Sequence, residues 1–193
     1  MSKIITFCGV DGVGKTTLIQ QLQNNYGYDK ISFRKKRAVH RVKTLFSTID
    51  YNNIHLEVND SLKEIYVQAY FNDFVAYYQK IFQRLSGNDL ILSDRWFYCI
   101  SAFAHCLGVD YSYIENFAES LEQVHLVVFI KAQEEVIERR INMRERNRVK
   151  EKSIDLLMLY QESYESYFSN KKNVITIENN SDQIELKELI KHF

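Results

Sequence analysis

One short segment constrains the fold of this chain more than any other. Residues 9–16 read Gly-Val-Asp-Gly-Val-Gly-Lys-Thr, which is the complete G-x-x-x-x-G-K-S/T pattern. An apolar run at residues 3–8 precedes it and a helical pattern at residues 15–25 follows it, which is the context that the pattern requires. We therefore predict a strand, a phosphate-binding loop and a helix, in that order.

Phosphate binding needs these residue types at these positions. Gly9, Gly12 and Gly14 allow the backbone to adopt left-handed angles and to approach phosphate oxygens closely. The N–H groups of the loop and of the helix start then point at the anion, with the helix dipole behind them. Lys15 adds a positive charge for the β- and γ-phosphates, and Thr16 offers a hydroxyl group to Mg²⁺.

Short apolar runs alternate with longer helical patterns along the rest of the chain. Strands are predicted at residues 3–8, 29–33, 90–93, 124–130 and 174–177, and helices at residues 15–25, 58–86, 134–143, 154–168 and 183–192. The strand candidates are continuously apolar, which is typical of strands buried on both faces of a parallel sheet. Alternation of strand and helix indicates an α/β sandwich with right-handed crossovers. Because no segment has the composition of a linker, we expect residues 1–193 to form a single domain.

Composition excludes several classes of protein. The 25 Lys and Arg residues balance the 25 Asp and Glu residues, so the chain has no global attraction to nucleic acid or to anionic lipid. No apolar run approaches the roughly 18–20 residues needed to span a bilayer. Cys8, Cys99 and Cys106 lie in apolar stretches, as reduced thiols do. We therefore expect a cytoplasmic protein with no nucleic-acid partner and no membrane partner.

A charged pair follows the strand predicted at residues 90–93. Asp94 and Arg95 lie at the carboxyl end of this strand, where open α/β sheets bind their ligands. The carboxylate can hold Mg²⁺ directly or through water, and the guanidinium can clamp a second phosphate in a bidentate fork. The guanine-binding Asn-Lys-x-Asp of a GTPase is not matched, because residues 170–173 read Asn-Lys-Lys-Asn.

A third group of charges is rich in arginine. Five arginines fall within ten residues, at positions Arg139, Arg140, Arg144, Arg146 and Arg148. Three of them, Arg140, Arg144 and Arg148, are four residues apart and share a face of a helix. Two interpretations are open. The arginines form a solvated face balanced by neighbouring glutamates, or they lie on a cover that neutralises the charge of a transferred phosphoryl group.

The order and spacing of these segments resemble the thymidylate kinase family of nucleoside monophosphate kinases over nearly the whole chain. The segments that carry the resemblance are residues 5–18, 90–96 and 127–145. The resemblance implies a P-loop kinase fold, a three-layer α/β sandwich around a five-stranded parallel sheet. It also implies Mg²⁺-dependent transfer of the ATP γ-phosphate to a small-molecule nucleotide. A homodimer is left open.

The resemblance also implies roles for individual residues. Those implied to bind ATP are Gly9, Asp11, Gly12, Val13, Gly14, Lys15, Thr16, Thr17, Arg140 and Asn180, with Thr16 and Asp94 for Mg²⁺. Those implied to bind the acceptor nucleotide are Asp11, Arg34, Tyr70, Asp73 and Arg95. The catalytic set is Lys15, Asp94, Arg95, Arg140 and Arg144, with a lid at about residues 139–152 in which Arg146 or Arg148 is the alternative to Arg144. Tyr66, Tyr70 and Phe74 share a helix face that either stacks a base or belongs to the core.

Several positions depart from the family's pattern. Where the family has Arg-Glu-Pro after the second strand, residues 33–37 read Phe-Arg-Lys-Lys-Arg. Asp73 stands where the family has a thymine-reading Arg, and Ala104 stands where it has Gln. Gly12 stands where some members have a catalytic Arg, so the lid arginines would have to supply that charge. Because buried hydrogen-bonding groups discriminate strongly between bases, these changes predict a looser or altered base choice.

Two further functions remain open from the sequence. One is a kinase of the same fold that phosphorylates a nucleoside or another small acceptor. The other is a regulatory protein that binds ATP and has no small acceptor. An assay of ADP release over a panel of acceptors separates these functions from that of a nucleoside monophosphate kinase.

Overall fold

The computed structural model describes residues 3–33, 37–46, 59–81, 90–121, 124–144 and 153–181. Within these residues the strands are β1 (Lys3–Cys8), β2 (Asp29–Ser32), β3 (Leu90–Asp94), β4 (Val124–Lys131) and β5 (Val174–Glu178). The helices are α1 (Lys15–Tyr26), α2 (Arg37–Leu45), α3 (Asp60–Ile81), α4 (Phe97–Leu107), α5 (Ser112–Ser120), α6 (Glu134–Arg144) and α7 (Ile154–Phe168).

The five strands form one sheet in the order β2-β3-β1-β4-β5, and every neighbouring pair is parallel. The predicted α/β fold with a five-stranded parallel sheet is therefore confirmed. All five carboxyl ends meet at one edge of the sheet. β1 is the central strand, so the glycine-rich loop that follows it lies in the middle of that edge. In register, Phe7 of β1 is opposite Asp94 of β3, which brings the Asp94-Arg95 pair beside the loop.

Aromatic side chains fill the core between α3, α4 and the β2–β3 side of the sheet. The Phe33 ring centroid lies 4.9 Å from that of Phe74, 5.0 Å from Trp96 and 5.8 Å from Phe97. Tyr66, Tyr70 and Phe74 are all buried. The three rings are therefore part of the hydrophobic core, and the contact of Tyr70 with the acceptor nucleotide stays a prediction. Many of the chain's 13 Tyr and 12 Phe are used in this way.

The strand predictions agree with the structure to within one residue at each end. Three helices, α2, α4 and α5, are not predicted by the sequence pattern. Most of α4 is buried, so its side chains show no polar face from which a period could be recognised. α2 starts in a basic run that is typical of a solvated loop.

Some predictions fall outside the described residues. These are the helix at residues 183–192, the end of the long helix at residues 82–86, and the lid from residue 145 to residue 152. Among the described helices, none is both long enough and apolar enough to cross a bilayer.

Candidate active site

The glycine-rich loop packs tightly against the carboxyl ends of β4 and β5. Gly9 has φ +138°, and a Cβ added there would lie 2.3 Å from the carbonyl oxygen of Ile130. Gly14 has φ +96°, and its Cβ would lie 2.4 Å from Nδ2 of Asn179. Both positions therefore require glycine for their backbone angle and for the space around them. The loop's shape is fixed by its neighbours before any ligand binds.

Lys15 is folded back along its own loop. Its side chain is buried, and Nζ donates hydrogen bonds to the carbonyl oxygens of Gly9 at 2.8 Å and Val10 at 2.6 Å. Burial, with a smaller contribution from the positive charge of Arg95, lowers the pKa of Lys15 from 10.5 to about 8. An anion at the loop would raise this pKa, because it favours the charged form of the ammonium group. Thr16 and Thr17, the next two residues of α1, are exposed.

Arg95 and Asp11 are brought together by the ends of two adjacent strands. Nη2 of Arg95 donates to Oδ1 of Asp11 at 2.8 Å, and the two side chains are 21% and 48% exposed. Burial lowers the pKa of Arg95, but nearby Tyr70 and Asp11 more than offset this effect and hold it well above its ordinary value. The guanidinium is therefore a permanent charge at the mouth of the loop.

The backbone of Arg95 is in the left-handed region, with φ +74°. Two hydrogen bonds hold it there: its N–H donates to the carbonyl of Phe7 at 3.2 Å, and Ser93 Oγ donates to its carbonyl at 2.5 Å. Such a conformation in a residue other than glycine costs about 1–3 kcal/mol and is found mainly where a side chain must be aimed. In this conformation the side chain of Arg95 is directed at Asp11.

Asp94 and Thr16 are the two groups predicted to hold Mg²⁺. Asp94 ends β3, and Ser32 Oγ donates to its Oδ2 at 3.4 Å. The described part of the chain contains no cluster of three His, Cys, Asp or Glu side chains that could enclose a metal by itself. Mg²⁺ usually keeps several waters and takes only one or two carboxylates together with substrate phosphates. One carboxylate and one hydroxyl beside a phosphate loop fit that preference.

Arg140 lies on the opposite side of the loop from Arg95. Its guanidinium donates to the carbonyl oxygens of Asn179 at 3.0 Å and Ser181 at 2.7 Å. Asn179 is buried, and its Nδ2 donates to the carbonyl of Val13 in the glycine-rich loop at 2.8 Å. Asn180 lies next to it, and its Oδ1 accepts the N–H of Gln133 at 2.8 Å. Arg140 and the segment after β5 therefore form one wall of the site.

A comparison with known protein families shows which family this chain belongs to. Residues 7–190 match a family model described as thymidylate kinase. The chain belongs to the thymidylate kinase family. No curated protein gives a significant match to the chain. Family membership supports a phosphotransferase that acts on nucleotides, and the matched region contains the glycine-rich loop, Asp94, Arg95 and Arg140.

Three residues that the sequence analysis relates to the acceptor base are buried in this protein. Tyr70 packs edge-on against Phe74, with ring centroids 4.9 Å apart. Asp73 is also buried, and its carboxylate accepts the backbone N–H groups of Ala38 at 3.0 Å and Val39 at 3.2 Å. Ala104 is fully buried in α4. Arg34, Arg146, Arg148 and the side chain of Arg144 lie outside the described residues, so their predicted roles stay predictions.

Sequence reasoning missed the hydrogen bond that joins the last loop of the site to the glycine-rich loop. Asn179, which ties the last loop to the glycine-rich loop, has no signal beyond its place directly after the last strand. The thiols of Cys8 and Cys99 are fully buried in the core, as the sequence predicts. Tyr164 Oη donates to the carbonyl of Cys99 at 3.2 Å and so fixes the first turn of α4. Cys8, Cys99 and Cys106 are all free cysteines that form no disulfide.

Proposed function

We propose that this protein is an ATP-dependent nucleoside monophosphate kinase that transfers the γ-phosphate of ATP to dTMP or another (deoxy)nucleoside monophosphate. The observation that carries the proposal is the Arg95–Asp11 pair at 2.8 Å, next to the glycine-rich loop. A loop for the donor phosphates and a fixed cation beside it can align two phosphates for in-line transfer.

The donor side is formed by the loop, Lys15 and the Arg140 wall. The N–H groups at the start of α1 face the phosphates, as helix starts do in general. Lys15 exchanges the carbonyls of Gly9 and Val10 for phosphate oxygens when the nucleotide binds. Arg140 and Asn180, held by the segment after β5, border the position of the nucleobase.

The acceptor side is formed by Arg95 and Asp11. The guanidinium binds the acceptor phosphate, because its planar fork matches two phosphate oxygens at once. Asp11 orients the guanidinium and faces the acceptor sugar. A nucleoside without phosphate would leave the Arg95 charge without its ligand, which favours a monophosphate over a nucleoside as acceptor.

Mg²⁺, when bound, neutralises phosphate charge and orients the phosphate oxygens. The Thr16 hydroxyl and the Asp94 carboxylate are the groups that would hold it. Arg140 holds the segment after β5, which borders the nucleobase. Arg144, at the end of α6, is proposed to bring positive charge to the transferred phosphoryl group. This arrangement supplies electrostatic stabilisation rather than a covalent intermediate.

Base choice is proposed to be loose. The family's thymine-reading Arg is replaced by Asp73, and its Gln by Ala104, so donors that would read thymine O4 are missing at both positions. We expect a dTMP preference below about a hundredfold over other monophosphates, since buried hydrogen-bonding groups are what produce larger ratios.

The proposal is tested by coupled detection of ADP from ATP and Mg²⁺ with dTMP, dCMP, dAMP, dGMP, dUMP and the five matching nucleosides. Phosphorylation of monophosphates alone supports it. Phosphorylation of nucleosides alone indicates a nucleoside kinase of the same fold, and ATP binding without any acceptor-dependent ADP indicates a regulatory protein. Lys15→Met serves as the inactive control.

A further inference from the structure

Asn179 joins three parts of the molecule at the edge of the sheet. It comes directly after β5, and its backbone N–H donates to the carbonyl oxygen of Lys131 at the end of β4 at 2.8 Å. Its side chain is buried, and Nδ2 donates to the carbonyl oxygen of Val13 at 2.8 Å. Its Oδ1 accepts a hydrogen bond from Nη2 of Arg140 at 3.4 Å. The strand pairing therefore fixes the place of Asn179, and its amide reaches the glycine-rich loop from there.

The hydrogen bond to Val13 fixes the orientation of one peptide group in the loop. A trans peptide group is planar, so its carbonyl and its N–H point in opposite directions. No peptide bond in the described part of the chain is cis. Because the Val13 carbonyl is directed at Asn179, the Gly14 N–H points away from Asn179. The Gly14 carbonyl accepts the N–H of Leu18 at 3.0 Å, so Gly14 is held at both of its peptide groups.

The Gly14 N–H belongs to the part of the loop where a phosphate is expected. Gly14 is the N-cap of α1, and glycine has no side-chain oxygen to accept the first amides of the helix, as Ser or Asp at this place would. Backbone N–H groups of such a loop and helix start are the ones that cradle phosphates. A peptide group turned the other way would present the Val13 carbonyl oxygen to the anion in place of an N–H.

We propose that Asn179 is a positioning residue, which holds the Val13 carbonyl away from the donor site and so presents the Gly14 N–H to a phosphate oxygen of ATP. Turning this peptide group would leave the buried amide of Asn179 without its acceptor, which is costly. Asn179 itself makes no contact with ATP. This inference rests on the proposed function, since it assigns Asn179 a part in binding the donor triphosphate.

The test compares Asn179→Leu with Asn72→Leu in the full chain. Leucine has nearly the shape of asparagine and no charge, so the first variant removes the amide without placing a charge beside the phosphates. Asn72 is exposed on α3, where it accepts a hydrogen bond from Gln68 of the same helix, so its variant matches the chemical change outside the loop. Titration calorimetry gives the Kd of ATP and of inorganic tripolyphosphate, both with Mg²⁺. Tripolyphosphate has no nucleobase and therefore reports on the loop but not on the wall formed by Arg140.

We expect Asn179→Leu to raise the Kd of ATP and of tripolyphosphate alike by about tenfold, the size of effect that loss of one hydrogen bond produces. The KM of the acceptor monophosphate and all values for Asn72→Leu should stay unchanged. A weaker affinity for ATP alone would show that Asn179 acts through Arg140 on the base side and would overturn the proposal. A lower melting temperature with unchanged Kd values would show a purely structural role and would also overturn it.

A nuclear magnetic resonance measurement on the wild type decides the matter even if the variant does not fold. The amide proton of Gly14 should shift downfield when tripolyphosphate is added, because it gains a hydrogen bond to a charged oxygen. The amide of Gly27, at the other end of α1, serves as the control and should not shift. An unchanged Gly14 resonance at saturating tripolyphosphate, or no binding of tripolyphosphate at all, would overturn the inference. A shifted Gly14 amide in a protein that forms no acceptor-dependent ADP would refute the proposed function and leave the role of Asn179 in place.

Discussion

The buried ammonium of Lys15 gives a quantitative prediction about pH. Its pKa in the folded protein is about 8, against 10.5 for an exposed lysine. Between these two pH values the unfolded chain binds more protons than the folded protein, so the contribution of this group to stability rises with pH across that window. At 1.36 kcal/mol per pKa unit, the rise from pH 7 to pH 9.5 is about 2 kcal/mol.

The measurement is the free energy of unfolding in urea for the wild type and for Lys15→Met at pH 7 and pH 9.5. Subtracting the variant removes the contribution of all other titrating groups. The stability of the wild type relative to the variant should increase by about 2 kcal/mol between the two pH values. Lys3→Met, which removes an exposed lysine from β1, is the control for the loss of one lysine side chain. A pH-independent difference for Lys15→Met would refute the reasoning.

The same pKa predicts proton uptake on nucleotide binding. At pH 9 about nine tenths of the free protein carries neutral Lys15, and a bound triphosphate favours the charged form, so ATP binding should take up about 0.9 proton. At pH 7 the uptake should be close to zero. Titration calorimetry in buffers of different ionisation enthalpy measures this number directly. Equal uptake by wild type and Lys15→Met at pH 9 would contradict the assignment.

The remaining predictions concern Arg95 and the glycine-rich loop. Arg95→Ala should raise the KM of the acceptor monophosphate by about a hundredfold and leave the KM of ATP nearly unchanged, with only partial rescue by lysine because it lacks the planar fork; equal losses for both ligands would mean that Arg95 acts on the fold. Gly14→Ala should weaken ATP binding more than about tenfold in equilibrium titrations, because its Cβ would lie 2.4 Å from Asn179 Nδ2. Gly27→Ala, also at positive φ but with nothing within 4 Å of the Cβ, should cost only about 1 kcal/mol of stability and leave ATP affinity intact; similar ATP affinities for the two variants would contradict the role of the loop.

The loop and the sheet could be predicted from the sequence because their signals are local. The glycine spacing carries its own chemistry, and strands buried on both faces are recognisable as continuous apolar runs. α4 could not be recognised, because most of its surface is buried. α2 could not either, because the group that caps its start, Asp73, lies 35 residues further along the chain.

In the site, too, residues with a local sequence signal could be predicted and contacts between distant parts of the chain could not. Lys15, Asp94 and Arg95 follow strand ends or a motif, so their convergence at one edge could be expected from the parallel order of strands. The Asn179–Val13 hydrogen bond joins residues 166 positions apart, and no local pattern indicates it. The hydrogen bonds from Ala38 and Val39 to Asp73 are likewise visible only once α2 and α3 are seen side by side.

The most direct test of the account is ADP formation by the purified protein with ATP, Mg²⁺ and each of the five deoxynucleoside monophosphates, measured beside Lys15→Met and Arg95→Ala. We expect turnover that depends on a monophosphate and falls by orders of magnitude in Lys15→Met. In Arg95→Ala, only a higher monophosphate concentration should restore turnover towards wild type. ADP release that is the same with and without a monophosphate, or turnover that Lys15→Met leaves intact, would contradict it.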